Sequence, residues 1–211
     1  MSIDPKAQWN DAHTRGVLNA HSQQATAFAK HVNESIPPSS RILELGCGVG
    51  NDSEYFAKEG HTVTATDFSD VVIAKNSERN SLTKLTFMEM DLSQPLPFPD
   101  GSFDVVYARL SLHYFTDEVT KRVFTEIYRI LSPGGLLCFM CKSTSDPSCG
   151  QGKEIEKDMY EREGRIRHYF SEAYVKECLE GMFHITTLKE EKEDLYGKLS
   201  ADIKVIAYKE E

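Results

Sequence analysis

The chain has no apolar run near the roughly 20 residues that a membrane-spanning helix needs. Its first residues, MSIDPKAQWND, also lack the basic-then-apolar layout of a secretory signal. No transmembrane segment and a cytoplasmic location are therefore expected. Positive charge is in short supply, with 24 Lys and Arg against 33 Asp and Glu and a net charge of −9. Nucleic-acid surfaces need clustered cations to meet phosphates, so this balance argues against a nucleic-acid partner. Cysteine is sparse and odd in number, and the five (Cys47, Cys138, Cys141, Cys149, Cys178) show no framework spacing. Cys138 and Cys141 do form a C-x-x-C, but inside GLLCFMCKS, which has the composition of a strand. Buried thiols are expected there rather than a metal knuckle or a redox pair, and no metal site is expected elsewhere. Internal repeats and low-complexity segments are lacking too.

What is present alternates between two periodicities. Apolar or β-branched strands are predicted at 41–45, 61–67, 84–91, 103–109 and 136–142, and helices at 51–60, 69–80 and 116–131. Gly60 stops the first of these helices, Ser69 caps the second, and SPGG (132–135) follows the third. Strand and helix in alternation imply a parallel sheet covered on both faces. A capped helix at 171–182 and two strands at 184–194 and 201–210, joined by a hairpin around Gly197, complete the pattern. The expected fold is α/β, a doubly wound Rossmann-like seven-stranded sheet, mostly parallel with one antiparallel strand. One amphipathic helix is expected over 9–35, carrying Val17, Leu18, Ala25, Phe28, Ala29 and Val32 and ending near Pro37 and Pro38. The polar stretch 143–166 reads as a surface excursion.

The stretch RILELGCGVGNDSEYF (41–56) concentrates the functional signal. A strand running into a glycine-rich turn and then a helix aims backbone N–H groups and the positive helix end at the carboxyl edge of a sheet. The pattern is G-x-G-x-G, with Asn51 where a dinucleotide enzyme prefers its third glycine. Glu44 precedes the loop, and a carboxylate there repels a pyrophosphate but suits a cation. Asp67 ends the second strand, placed to accept hydrogen bonds from ribose hydroxyls, and Asp91 ends the third, placed to meet an adenine amino group. Taken singly, Asp67 can equally be a helix-starting acid and Asp91 a turn former. Taken with the loop, the three acids describe a pocket for an adenosine bearing positive charge.

The segments ELGCGVG (44–50), ATDFS (65–69), MDL (90–92), LPFPDGSFDVVYARLSLHYF (96–115) and LSPGG (131–135) together resemble the class I S-adenosylmethionine-dependent methyltransferases that act on small molecules. The resemblance implies S-adenosyl-L-methionine as cofactor, S-adenosyl-L-homocysteine as product and a small-molecule methyl acceptor as partner. It implies that Glu44, Gly46, Cys47, Gly48 and Gly50 flank the methionine moiety, that Asp67 and Phe68 hold the ribose, and that Asp91 and Leu92 hold the adenine. Arg109 falls near the methionine carboxylate, and Cys47 is expected to pack rather than react. His113 is the candidate general base, with a place in the cofactor wall as the other reading. Candidate acceptor residues are Trp9, His13, Tyr114, Arg167 and His168. Arg165, Arg167 and His168 make a local basic cluster that reads either as a seat for an anionic substrate or as a solvated face. By the same resemblance the chain is one domain: a helical lid (1–38), a cofactor-binding core (39–142), a substrate-side excursion (143–170) and a closing helix and strands (171–211). Two rival readings stay open, a nicotinamide oxidoreductase and a non-catalytic cofactor-binding module.

Overall fold

The computed structural model describes residues 4–16, 24–195 and 197–210. Seven strands form one sheet: β1 (Arg41–Leu45), β2 (Thr62–Asp67), β3 (Leu85–Glu89), β4 (Phe103–Arg109), β5 (Leu131–Lys142), β9 (Phe183–Leu195) and β10 (Lys198–Lys209). Their order is β3-β2-β1-β4-β5-β10-β9. Neighbours from β3 through to β5 are parallel, and β10 is antiparallel to both β5 and β9. Six strands thus run one way and β10 opposes them, as expected. The last hairpin closes where Gly197, at φ 75°, donates its N–H to Asp194 at 2.7 Å.

Both faces of the sheet are covered. Helices α2 (Ala27–Ser35), α3 (Asn51–Lys58) and α4 (Asp70–Arg79) pack on one face around Phe28, Val32, Phe56, Val72 and Ile73. Helices α5 (Asp117–Ile130) and α6 (Glu172–Leu179) pack on the other around Val123, Phe124, Ile127, Val175 and Leu179. Side chains three apart on a strand point to opposite faces. Cys138 accordingly joins the first core and Cys141 the second, so the C-x-x-C cannot close on one metal or on itself. Ser69 and Ser171 cap α4 and α6 through Val72 N–H (3.3 Å) and Tyr174 N–H (3.1 Å).

Three expectations are corrected. The single helix over 9–35 is two: α1 (Pro5–Thr14) ends before Gly16, whose φ is 67°, and α2 starts afresh where Thr26 Oγ1 accepts from Ala29 N–H at 3.1 Å. Val17 and Leu18 lie outside the described residues. Strand β5 begins at Leu131, not 136, and takes up SPGG as an irregularity between the pairs Phe103↔Leu131 and Val105↔Leu136. The excursion contains a second, three-stranded antiparallel sheet, β6 (Lys153–Glu156), β7 (Met159–Arg162) and β8 (Arg165–His168). Among the described residues no helix is long and apolar enough to cross a membrane.

Candidate active site

The strand order reverses between β1 and β4, and in open α/β sheets the crevice at such a reversal receives ligands. Two loops meet there, residues 46–50 after β1 and residues 110–115 after β4. Leu110 takes a left-handed φ of 56°, a conformation that costs a non-glycine residue about 1–3 kcal/mol and gathers at functional sites. It turns the chain so that Ser111 Oγ donates to Leu45 O at 2.6 Å. This seats Ser111 on Gly46: a Cβ on that glycine would stand 2.4 Å from Ser111 Cβ.

The glycine loop is fixed from several sides. Gly46 and Cys47 N–H groups both donate to Thr66 O at 2.8 Å. Asp67 accepts from Gly48 N–H and from Ser69 N–H, each at 2.9 Å, so one carboxylate clamps the loop and the start of α4 together. Asn76 Nδ2 donates to Gly48 O at 2.8 Å. Beneath the loop, Asp52 accepts from Tyr107 Oη at 2.8 Å and from Thr26 N–H at 2.7 Å. Asp52, Asn76 and Tyr107 were not foreseen, although a buried Asn on the apolar stripe of a helix (Val72, Ile73, Asn76) is a signal that the sequence offers.

Glu44 is buried and its carboxyl accepts from Ser53 Oγ in the first turn of α3. Burial, reinforced by the nearby charge of Asp52, pushes it from the usual 4.5 up to about 8. A carboxyl that binds its proton more tightly in the folded state gives its full stability below the ordinary carboxylate range. That contribution drains away as pH rises through about 8. Glu44→Gln removes the titration and is expected to flatten the fall in Tm between about pH 5 and pH 9. Thermal unfolding at stepped pH checks this, and parallel curves for the two proteins would refute it.

Cys47 is buried in the loop, and burial raises its thiol well above the usual range, which suits packing. Phe68 is half-buried beside Asp67. Met90 N–H donates to Asp67 O at 2.9 Å, which brings the end of β3 beside Asp67. Asp91 Oδ1 accepts from Ser93 N–H at 2.8 Å, shaping a turn, and Leu92 packs on the sheet core. The charge of Arg109 reaches Glu44 and Tyr107 and counters the rise in their pKa values.

Helix α1 lies across this edge. Lys6 pairs with Glu89 (2.5 Å), Asn10 Nδ2 donates to Asp70 (2.8 Å), and Gln8 Nε2 donates to Gly164 O in the β7–β8 turn (3.2 Å). Trp9 meets Tyr114 edge-on with ring centroids 4.9 Å apart, and the Arg165 guanidinium lies 5.2 Å from the Trp9 ring centre. His13 does not join this group. Its Cε1 would be 3.9 Å from a Cβ on Gly48, and its Nδ1 is buried with no hydrogen-bond partner among the described residues. A bare backbone at Gly48, the Asp67 carboxylate and an unsatisfied ring nitrogen fit a polar ligand carrying hydroxyl groups.

His113 is buried, and its Nδ1 accepts the Lys142 N–H at 3.2 Å. Burial, with the charges of Arg167 and Lys142, holds its pKa well below the usual range. A neutral ring held this way carries its proton on Nε2, so the geometry offers a donor rather than the general base expected. His168 is also displaced from its expected place. Alternation along β8 sends it away from Arg167, and its ring packs on Phe170 (5.1 Å) and Tyr174 (4.4 Å). Of the residues expected on the acceptor side, the structure brings together Trp9, Tyr114, Arg165 and Arg167.

Residues 43–139 match the methyltransferase domain family. The chain is 36% identical over 186 residues to phosphoethanolamine N-methyltransferase 1 of Triticum aestivum, a match covering 82% of this chain and 36% of that protein. It spans about a third to a half of the length of the curated relatives it matches. Among solved structures, 1,6-didemethyltoxoflavin-N1-methyltransferase of Burkholderia thailandensis, with S-adenosylhomocysteine bound, superposes with a TM-score of 0.75 at 21% identity. That match covers 98% of this chain and 87% of the other. The [4+2]-cyclase SpnF gives the same TM-score at 16% identity, covering 100% and 96%. At such identities the structures establish the fold alone, and the family match covers the glycine loop, Asp67 and Asp91 within residues 43–139. Residues 43–139 thus match a methyltransferase domain, set in a fold that solved S-adenosylmethionine-dependent methyltransferases share.

Proposed function

We propose that this chain binds S-adenosyl-L-methionine at the glycine loop and passes its methyl group to a small-molecule acceptor held between α1, residues 110–115 and β8. The observation that carries this reading is the clamp of Asp67 on Gly48 beside an unsatisfied His13 Nδ1, facing the aromatic and cationic wall of Trp9, Tyr114 and Arg167. Asp67 would accept the ribose hydroxyls, Asp91 and Leu92 would border the adenine, and Glu44 with Gly46–Gly50 would flank the methionine part.

When bound, the cofactor supplies an electrophilic methyl group on a sulfonium. The chain's own residues then have three tasks. The glycine loop is already tied down by Thr66, Asp67 and Asn76, so its geometry needs no rearrangement on binding. Helix α1 and the β7–β8 turn shield the crevice from water. His113 stays neutral and donates from Nε2, which orients an acceptor instead of deprotonating it. An acceptor that is already nucleophilic, such as an amine in its free-base form, suits a site of this kind. The relative in wheat, whose name specifies N-methylation of phosphoethanolamine, agrees with that chemistry.

Incubation with S-adenosylmethionine and a panel of amines, thiols, hydroxy-aromatics and oxyanions tests the reading. S-adenosylhomocysteine is expected to accumulate above background with members of one class. No product with any of them would favour a binding protein without transferase activity.

A further inference from the structure

We propose that Arg167 is the seat for an anionic head group, phosphate or carboxylate, on the methyl acceptor. The proposal deepens the transferase reading and rests on it for the word acceptor, but the site itself rests on what surrounds this guanidinium. Strand β8 alternates, so Arg165 and Arg167 share one face, with Ile166 and His168 on the other. The chain is acidic, and Arg15, Arg41, Arg79, Arg129 and Arg162 each have a carboxylate within 4.0 Å. Among the described residues, no carboxylate comes that close to Arg165 or Arg167.

Arg167 is nonetheless half-buried, and its Nε is sealed from solvent with no hydrogen-bond partner among the described residues. The groups acting on its charge are the neutral phenols of Tyr114 and Tyr169, with the Tyr114 ring centre 5.8 Å from the guanidinium carbon. Tyr169 spends its own proton on Ser148. Cross-strand from Arg167 stands Tyr160, another neutral group. The two phenols favour the charged form of the guanidinium, but the buried Nε–H, with no acceptor beside it, still carries the desolvation cost of an unpaired donor. An oxyanion removes that cost, because the planar fork presents parallel N–H donors to two oxygens. A solvated basic face, the other reading of this cluster, does not enclose its Nε.

The position connects the seat to the chemistry. The Arg167 charge acts on the buried His113 ring, and His168 N–H donates to His113 O at 3.0 Å. The guanidinium therefore stands beside the loop after β4, at the sheet reversal where the glycine loop also ends. Arg165, exposed over Trp9, adds a second positive charge at the entrance.

Trp9 is the sole tryptophan of the chain and lies within this wall, so its emission reports on the site without any turnover. The test is titration with inorganic phosphate and with acetate at constant ionic strength, following Trp9 fluorescence. S-adenosylhomocysteine affinity is measured on the same samples. A saturable response to one of the two anions is expected, and the stronger one identifies the head group. In Arg167→Gln the response should weaken about 10-fold or more, and in Arg167→Lys by less, while S-adenosylhomocysteine affinity holds. Arg167→Lys also serves if the Gln variant fails to fold. No saturable response to either anion in the wild type, or equal affinity in the variants, would overturn the proposal. Loss of S-adenosylhomocysteine binding by the wild type would instead bring down the cofactor reading, and so the two failures are distinguishable.

Discussion

Gly46→Ala is expected to lose about 3 kcal/mol or more of folding stability, from backbone strain and overpacking together. Two independent features converge on this position. Its φ is 77°, where an L-residue is strained, and a Cβ would stand 2.4 Å from Ser111 Cβ. That neighbour cannot swing aside, because Ser111 Oγ is tied to Leu45 O and Leu110 before it already holds a left-handed turn. Relief requires the loops after β1 and β4 to separate, which opens the crevice. For a chain of this size the loss corresponds to a fall in Tm of roughly 6–12 °C. Thermal unfolding reads it directly, and an unchanged Tm would show that the two loops are not in contact.

Asp67→Ala should weaken S-adenosylhomocysteine binding by about 1–3 kcal/mol, roughly 5- to 150-fold. The carboxylate is proposed to meet the ribose, and it also holds Gly48 N–H and Ser69 N–H. Removing it takes away a ligand contact and loosens the loop on which the rest of the ligand lies. The two contributions separate in Asp67→Asn, whose side-chain oxygen can keep one backbone clamp while the charge is lost. Calorimetry on both variants checks this, and an unchanged dissociation constant in Asp67→Ala would remove Asp67 from the site.

The sheet and its reversal were legible because β1, β2 and β4 carry apolar or β-branched runs, and because Gly60, Ser69 and Ser171 punctuate the helices between elements. The glycine loop and Asp67 were legible for a related reason: few physical purposes put three glycines and an acid at adjacent strand ends. The excursion was opaque. Its strands KEIE, MYER and RIRH are four residues long and about half or more of their side chains are ionisable, so neither apolar periodicity nor β propensity marks them. With β8 unrecognised, alternation could not be applied, and His168 was grouped with Arg167 although the strand turns them apart. The break between α1 and α2 was hidden by an apolar spacing that continues through Gly16. His113 was placed correctly in the loop, but its role depends on which ring nitrogen meets the Lys142 N–H, a contact between segments 29 residues apart.

The central claim is that the loop after β1 holds a sulfonium nucleoside and not a dinucleotide. Calorimetric titration of the wild-type chain with S-adenosylmethionine, S-adenosylhomocysteine and NAD measures this most directly. Saturable binding of the first two, with none of NAD, is the predicted result. Binding of NAD alone would contradict it.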